Sequence, residues 1–170
     1  MPDTEQTAII LLGHGSRVPD AGKHMEKVAS GLKEKYGYKV VEICYMSRLG
    51  PHFPETFHKC VALGATDIVV IPYFLHDGLH LVLDIPEMMQ QMAAGYPDVK
   101  LVLGRNLGFD DILVDLVERR IADSKGVCDV RKLALPPRNK FPVPPGQCEF
   151  VPMDPEKAAQ YLESNREHHH

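Results

Sequence analysis

Four short apolar runs, each followed by a segment of helical period, constrain this chain more than any other feature. Thr7–Leu12, Tyr38–Tyr45, Asp67–Phe74 and Val99–Leu103 are rich in Ile, Val and Leu. Thr7–Leu12 is apolar without alternation, as strands are when both faces are covered, and Asp67–Ile71 reads as a buried parallel strand. Between the runs, Asp20 to Tyr36 carries Ala21, Met25, Val28, Ala29 and Leu32 at helical spacing, and Gly37 supplies a stop. Further helices are predicted over Pro51–Leu63, ended by Gly64, over Ile85–Ala94, closed by Gly95, and over Phe109–Ala122. Asp84, followed by Pro86, reads as the N-cap of the third helix.

Strands alternating with helices across short connections predict an α/β domain with a parallel sheet and right-handed crossovers. The expected architecture is an open, flavodoxin-like parallel four-stranded sheet of order 2-1-3-4 with flanking helices. That order sets the first and third strands side by side and brings the loops after them to one crevice, where open α/β sheets place their ligands.

Residues 1–125 are read as this domain and 126–170 as an extension. After Gly126 the composition changes: Pro136, Pro137, Pro142, Pro144, Pro145, Pro152 and Pro155 exclude regular structure over most of Leu135–Pro155. An irregular Pro-rich C-terminal tail is expected, with a short helix over Pro155–Arg166. The terminal His168–His170 reads as an added tag rather than a metal site.

A formal charge of −4 argues against a general nucleic-acid or membrane-surface binder. No apolar run approaches the roughly 20 residues that span a bilayer. The start lacks a basic segment and a long apolar core, so it does not read as a secretory signal. Cys44, Cys60, Cys128 and Cys148 form no C-x-x-C pair. Reduced thiols and a cytoplasmic setting are therefore expected.

Two loops carry the candidate chemistry. Gly13-His14-Gly15-Ser16-Arg17 follows the first strand. Its glycines permit a sharp turn and close approach to a ligand, and the next helix offers free N–H groups to an anion. Arg17 adds a planar fork suited to a carboxylate. A turn-capping role for His14 is the plain alternative, but a histidine between two glycines has no packing reason to be there. Leu75-His76-Asp77-Gly78-Leu79-His80 follows the third strand, and Gly78 makes a loop the expected conformation at both histidines. A helical H-E-x-x-H zinc site is not indicated, because the glutamate is missing. Two neutral imidazoles, His14 and His80, suit both divalent-metal binding and proton acceptance near neutral pH. Asp84 is an N-cap first and an orienter of histidine second. His52 and His58 are expected to be solvated.

Taken together, Gly13-His14-Gly15-Ser16-Arg17 and Phe74-Leu75-x-x-Gly78-x-His80-x-x-x-Asp84-Ile85-Pro86 resemble the small single-domain sirohydrochlorin cobaltochelatases of the CbiX type, class II tetrapyrrole chelatases. The resemblance covers roughly Thr7 to Ala122 and implies a chelatase-like fold and a homodimer. The implied activity is insertion of a divalent metal into sirohydrochlorin in cobalamin or tetrapyrrole biosynthesis. It implies His14 and His80 as the catalytic, metal-binding histidines, and Leu75, His76, Asp77, Gly78 and Leu79 as tetrapyrrole contacts. Ser16, Arg17, Arg48 and Gly50 complete the expected substrate-binding set, with Arg105 as a further candidate for the substrate's carboxylates. The metal is substrate, Co²⁺ first with Ni²⁺ or Fe²⁺ as alternatives, and no organic cofactor is expected. Relatives commonly carry acidic residues where this chain has Ser47 and Gly50, which bears on the identity of the metal more than on the reaction.

Two rival classes are set against this reading. A phosphohistidine enzyme also places His-Gly after a first strand, but wants arginine immediately before the histidine, where this chain has Gly13. A non-catalytic tetrapyrrole or metal carrier would use the same ligands and differs only in turnover.

Overall fold

The computed structural model describes residues 5–15, 20–47 and 50–137, apart from the side chain of His80. It divides into two units, 1–132 and 133–170. In the second, residues 133–137 carry no regular structure, and the rest of the Pro-rich tail, the expected helix over Pro155–Arg166 and His168–His170 lie outside the described residues.

The first unit contains β1 (Thr7–Gly13), α1 (Lys23–Tyr36), β2 (Val40–Tyr45), α2 (Phe53–Ala62), β3 (Asp67–Pro72), α3 (Ile85–Ala94), β4 (Lys100–Leu103) and α4 (Asp111–Asp123). The four strands form one sheet in the order β2-β1-β3-β4. All three pairings are parallel, with Leu12 opposite both Cys44 and Pro72. The expected topology is the observed one.

Side-chain alternation sorts the strands onto two cores. Ala8, Ile10, Leu12, Ile68 and Val70 face α2 and α3, where Phe53, Phe57, Ile85 and Met89 complete a buried cluster. Ile9, Leu11 and Val41 face the opposite way, onto Met25 and Ala29 of α1. Phe57 is the centre of an aromatic group, with ring centroids 6.0 Å from Phe53 and 5.0 Å from Tyr96. Such burial supplies most of the driving force for folding, since isolated helices of this length are marginal. Among the described residues the two faces are unequally covered: α1 alone packs on one, and α4 buries none of its residues.

Helix ends follow local chemistry. Gly37 takes a left-handed conformation (φ 78°) and its N–H caps the Lys33 carbonyl of α1. Asp110 caps α4 by accepting a hydrogen bond from the Ile112 N–H at 3.0 Å. The third helix departs from expectation. A π-helical turn, His80–Asp84, runs directly into α3, so Asp84 has helical dihedrals and makes no side-chain cap. Leu81 and Val82 both donate to the Gly78 carbonyl at 3.0 Å, which starts the helix four residues early. Proline has no N–H and its ring crowds the carbonyl four residues before it, here Val82. A widened turn ahead of Pro86 relieves that crowding.

Candidate functional site

β1 ends at Gly13 and delivers His14 to the carboxyl edge of the sheet, between the ends of β2 and β3. The backbone there is tied on both sides. Met46 N–H donates to the Gly13 carbonyl at 2.9 Å, and Tyr73 N–H to the Leu12 carbonyl at 2.8 Å. Ser47 donates twice to the His14 carbonyl, from its N–H at 3.3 Å and its hydroxyl at 3.2 Å. Gly15 has φ 106°, and a Cβ there would run into the Ser47 carbonyl oxygen. Only glycine fits this turn.

The His14 ring lies against Phe74, with centroids 4.0 Å apart and planes inclined by 33°. Phe74 is 5% exposed and belongs to the α2–α3 core, whereas His14 is itself exposed. A core side chain thus supports one imidazole at the solvent-facing edge of the sheet. Beside it opens a cavity of about 450 Å³, walled by Gly13, His14, Gly15, Tyr45, Gly50 and Tyr73 and by residues 20–26, the turn before α1 and its first turn. Burial, then the nearby Glu26 carboxylate, pushes the Tyr45 phenol up, so the wall it forms is neutral. A Cβ on Gly22 would meet that phenol oxygen, which explains a glycine at the helix start.

Leu75 to Leu79 form an exposed loop after β3. Its shape is held by the segment after β4: Asn106 Nδ2 donates to Asp77 Oδ1 at 3.2 Å, and Gly108 N–H to the Phe74 carbonyl at 3.2 Å. Leu75 and Leu79 project apolar surface, Leu79 being 74% exposed. His76, Asp77 and Gly78 are also exposed. The backbone of His80 opens the π-helical turn rather than lying in a loop, which corrects the expectation drawn from Gly78. Asp84, likewise corrected, ends that turn.

Of the expected site residues, His14, Gly50 and the 75–79 loop stand at the carboxyl ends of β1, β2 and β3, and Arg105 follows β4. Ser16, Arg17 and Arg48 lie outside the described residues. His52 and His58 are on the α2 side, His52 within 3.6 Å of Glu55 and His58 against Tyr96. Sequence reading missed Ser47 as the clamp on His14 and Asn106 as the clamp on Asp77. Both act across the sheet edge, and neither has a signal in its own neighbourhood of sequence. Among the described residues no three His, Cys, Asp or Glu side chains cluster as ligands for a metal. No helix there is long and apolar enough to cross a membrane.

A parallel 2-1-3-4 sheet with a glycine-flanked histidine after β1 and a histidine-bearing segment after β3 defines a chelatase-like α/β protein. The CbiX family model matches residues 8–124, and the chain belongs to that family. It is 34% identical over 116 residues to a sirohydrochlorin cobaltochelatase of Priestia megaterium, covering 68% of this chain and 38% of that protein. It is 35% identical over 116 residues to a sirohydrochlorin ferrochelatase of Bacillus subtilis, covering 68% and 44%. A crystal structure of the sirohydrochlorin chelatase SirB from Bacillus subtilis subspecies spizizenii in complex with cobalt superposes with a TM-score of 0.64 at 34% identity, covering 69% of this chain and 50% of that one. The chain thus matches half or less of the length of each of these relatives.

Proposed function

We propose that this protein inserts a divalent metal, Co²⁺ in the first instance, into sirohydrochlorin or a closely related tetrapyrrole. The observation that carries the reading is His14: an exposed imidazole, braced by Phe74 and set by Ser47, at the switch point of a CbiX-family sheet. Insertion exchanges two pyrrole N–H protons for one M²⁺, so the site must hold the metal on one face of the ring and accept two protons there. Neutral His14 and His80 serve as both ligand and base, since an imidazolium has no lone pair to offer. Topology supports their pairing, because β1 and β3 are neighbours and both segments leave the same edge.

The apolar side chains of Leu75 and Leu79 cover one macrocycle face, next to Tyr73 and Phe74. His76, Asp77 and Gly78 give that loop its polar rim, and Gly50 opens the cavity wall opposite. Ser16, Arg17 and Arg48, with Arg105, bind the substrate's carboxylates by charge-assisted hydrogen bonds. Asp84 orients the turn that carries His80. The assembly is a homodimer, in keeping with the half or less of the Priestia and Bacillus relatives above that the chain spans, and its setting is the cytoplasm, in keeping with two buried, unpaired cysteines, Cys44 and Cys60. Because imidazole binds Co²⁺, Ni²⁺ and Fe²⁺ alike, the metal is decided by measurement.

The test is anaerobic insertion of Co²⁺, Ni²⁺ and Fe²⁺ into sirohydrochlorin, followed by absorbance, with His14→Ala and His80→Ala alongside. Accelerated insertion lost in both variants is expected, with Co²⁺ fastest. Tetrapyrrole binding without acceleration would make the protein a carrier, and full activity in His14→Ala would overturn the site.

A further inference from the structure

The loop that presents Leu75 and Leu79 to solvent is exposed at every residue from 75 to 79 and contains Gly78. Such a segment has many conformations within reach, because no buried side chain of its own selects one. Apolar side chains that receive a flat, rigid ring must be held in place beforehand, since ordering them on binding weakens affinity. The loop needs support from outside itself.

That support is the segment between β4 and α4, which bridges Val70 within β3 and Phe74 just after it. Gly104 N–H donates to the Val70 carbonyl at 2.8 Å. A Cβ on Gly104 would run into the Ile71 side chain, so only glycine lets the backbone come this close to β3. At the other end Gly108 N–H donates to the Phe74 carbonyl at 3.2 Å. Between these anchors Arg105 and Leu107 are exposed, whereas Asn106 is half-buried. Its Nδ2 reaches Asp77 Oδ1, in the middle of the loop, at 3.2 Å.

The chemistry of this pair suits a support. A carboxylate acceptor makes the bond stronger than one between two neutral groups. The amide holds Asp77 without adding charge, where an acid at the same position would repel it. The segment also reaches toward the histidine. Phe74, whose carbonyl Gly108 holds, carries the ring against which His14 lies. Asn106 serves the loop side of this frame and Gly108 the histidine side.

We infer that Asn106 is a positioning residue: through Asp77 it holds the 75–79 loop in the conformation that receives the tetrapyrrole face, and so sets affinity for the macrocycle rather than the rate of metal insertion. This rests on the tetrapyrrole reading proposed above. If loss of the bond leaves the receptive conformation about one-tenth populated, the apparent Kd rises about tenfold. The rate within the bound complex changes little, because His14 keeps its supports from Ser47 and Phe74.

The experiment compares the full chain with Asn106→Ala, Asn106→Asp and the exchange Asn106→Asp/Asp77→Asn. Metal-free sirohydrochlorin is titrated anaerobically and its Kd read by absorbance. Co²⁺ insertion then gives kcat and separate KM values for tetrapyrrole and metal. Asn106→Ala should raise Kd and the tetrapyrrole KM about tenfold, with kcat and the metal KM within about twofold of the parent. Asn106→Asp should bind more weakly still, since two carboxylates then face each other. The exchange should return Kd to within about threefold of the parent, because an amide at position 77 then donates to a carboxylate at position 106. A residue that only supported the fold would lower the active fraction without separating KM from kcat, and would not respond to the exchange. An unchanged Kd in Asn106→Ala, a kcat that falls as far as Kd rises, or an exchange no better than Asn106→Asp alone would each overturn the inference. In a parent that binds without inserting metal, the Kd values alone decide. A parent that does not bind sirohydrochlorin is a distinct result: it overturns the chelatase reading and this inference with it.

Discussion

The imidazole of His14 rests 4.0 Å from the ring of Phe74, although the two residues belong to different strand ends. This contact joins an exposed functional group to the α2–α3 core, so the histidine's position is set by packing as well as by backbone. Replacing Phe74 by Leu keeps most of the apolar volume and removes the flat support. The expected result is metal insertion slowed on the order of tenfold or more, with a stability loss below about 1.5 kcal/mol. Kinetics and thermal melts on the same sample check this, and equal kinetics would mean that Phe74 does not position His14.

Gly15→Ala should be more severe. A methyl group would enter the space of the Ser47 carbonyl at a φ of 106°, which alanine adopts only with strain. The two donors of Ser47 would lose their register on His14, and insertion should fall on the order of 100-fold. Because the turn lies outside the cores, the circular dichroism spectrum should be unchanged.

Phe57 is fully buried between Phe53 and Tyr96. Truncation to Ala leaves a cavity in the face that carries α2 and α3, and should cost about 3–5 kcal/mol in urea unfolding. A loss under about 1 kcal/mol would mean that this face repacks freely.

The thiols make an alkaline prediction. Burial pushes Cys44 up to about 12, helped by neighbouring Cys60 and opposed by a hydrogen bond with Thr56. Burial and then the Glu42 charge push Cys60 up to about 11. Both are raised above the ordinary 9.0, so the unfolded chain releases these protons first. Their stabilising contribution is complete below about pH 9 and is lost as pH rises through about 11 to 12. Melting temperature should fall over that window, and less steeply in Cys44→Ala/Cys60→Ala. At neutral pH a thiol reagent should modify exposed Cys128 in the folded protein and leave Cys44 and Cys60 untouched.

The strand runs and helical periods of this chain were sufficient for the sheet, its parallel sense and its order, because burial on two faces leaves a repeated local pattern. The glycine-flanked His14 was legible for a similar reason: glycines announce a backbone that must turn sharply. Local pattern misled at Asp84, where a good capping residue before Ile-Pro looked like a helix start. The chain instead enters a π-helical turn at His80, since Gly78 supplies carbonyl bonds to Leu81 and Val82 that no propensity reveals.

By itself, then, the sequence determined the elements, their alternation, the CbiX-type motifs and the histidines that carry them, all of which depend on residues near one another in the chain. Tertiary structure decided what long-range contact alone can set. Ser47 holds His14, Phe74 braces it, Asn106 holds Asp77, and α4 buries none of its residues among those described. Each of these depends on where the strand ends fall relative to one another, a spacing fixed by hydrogen-bond register and packing across the sheet.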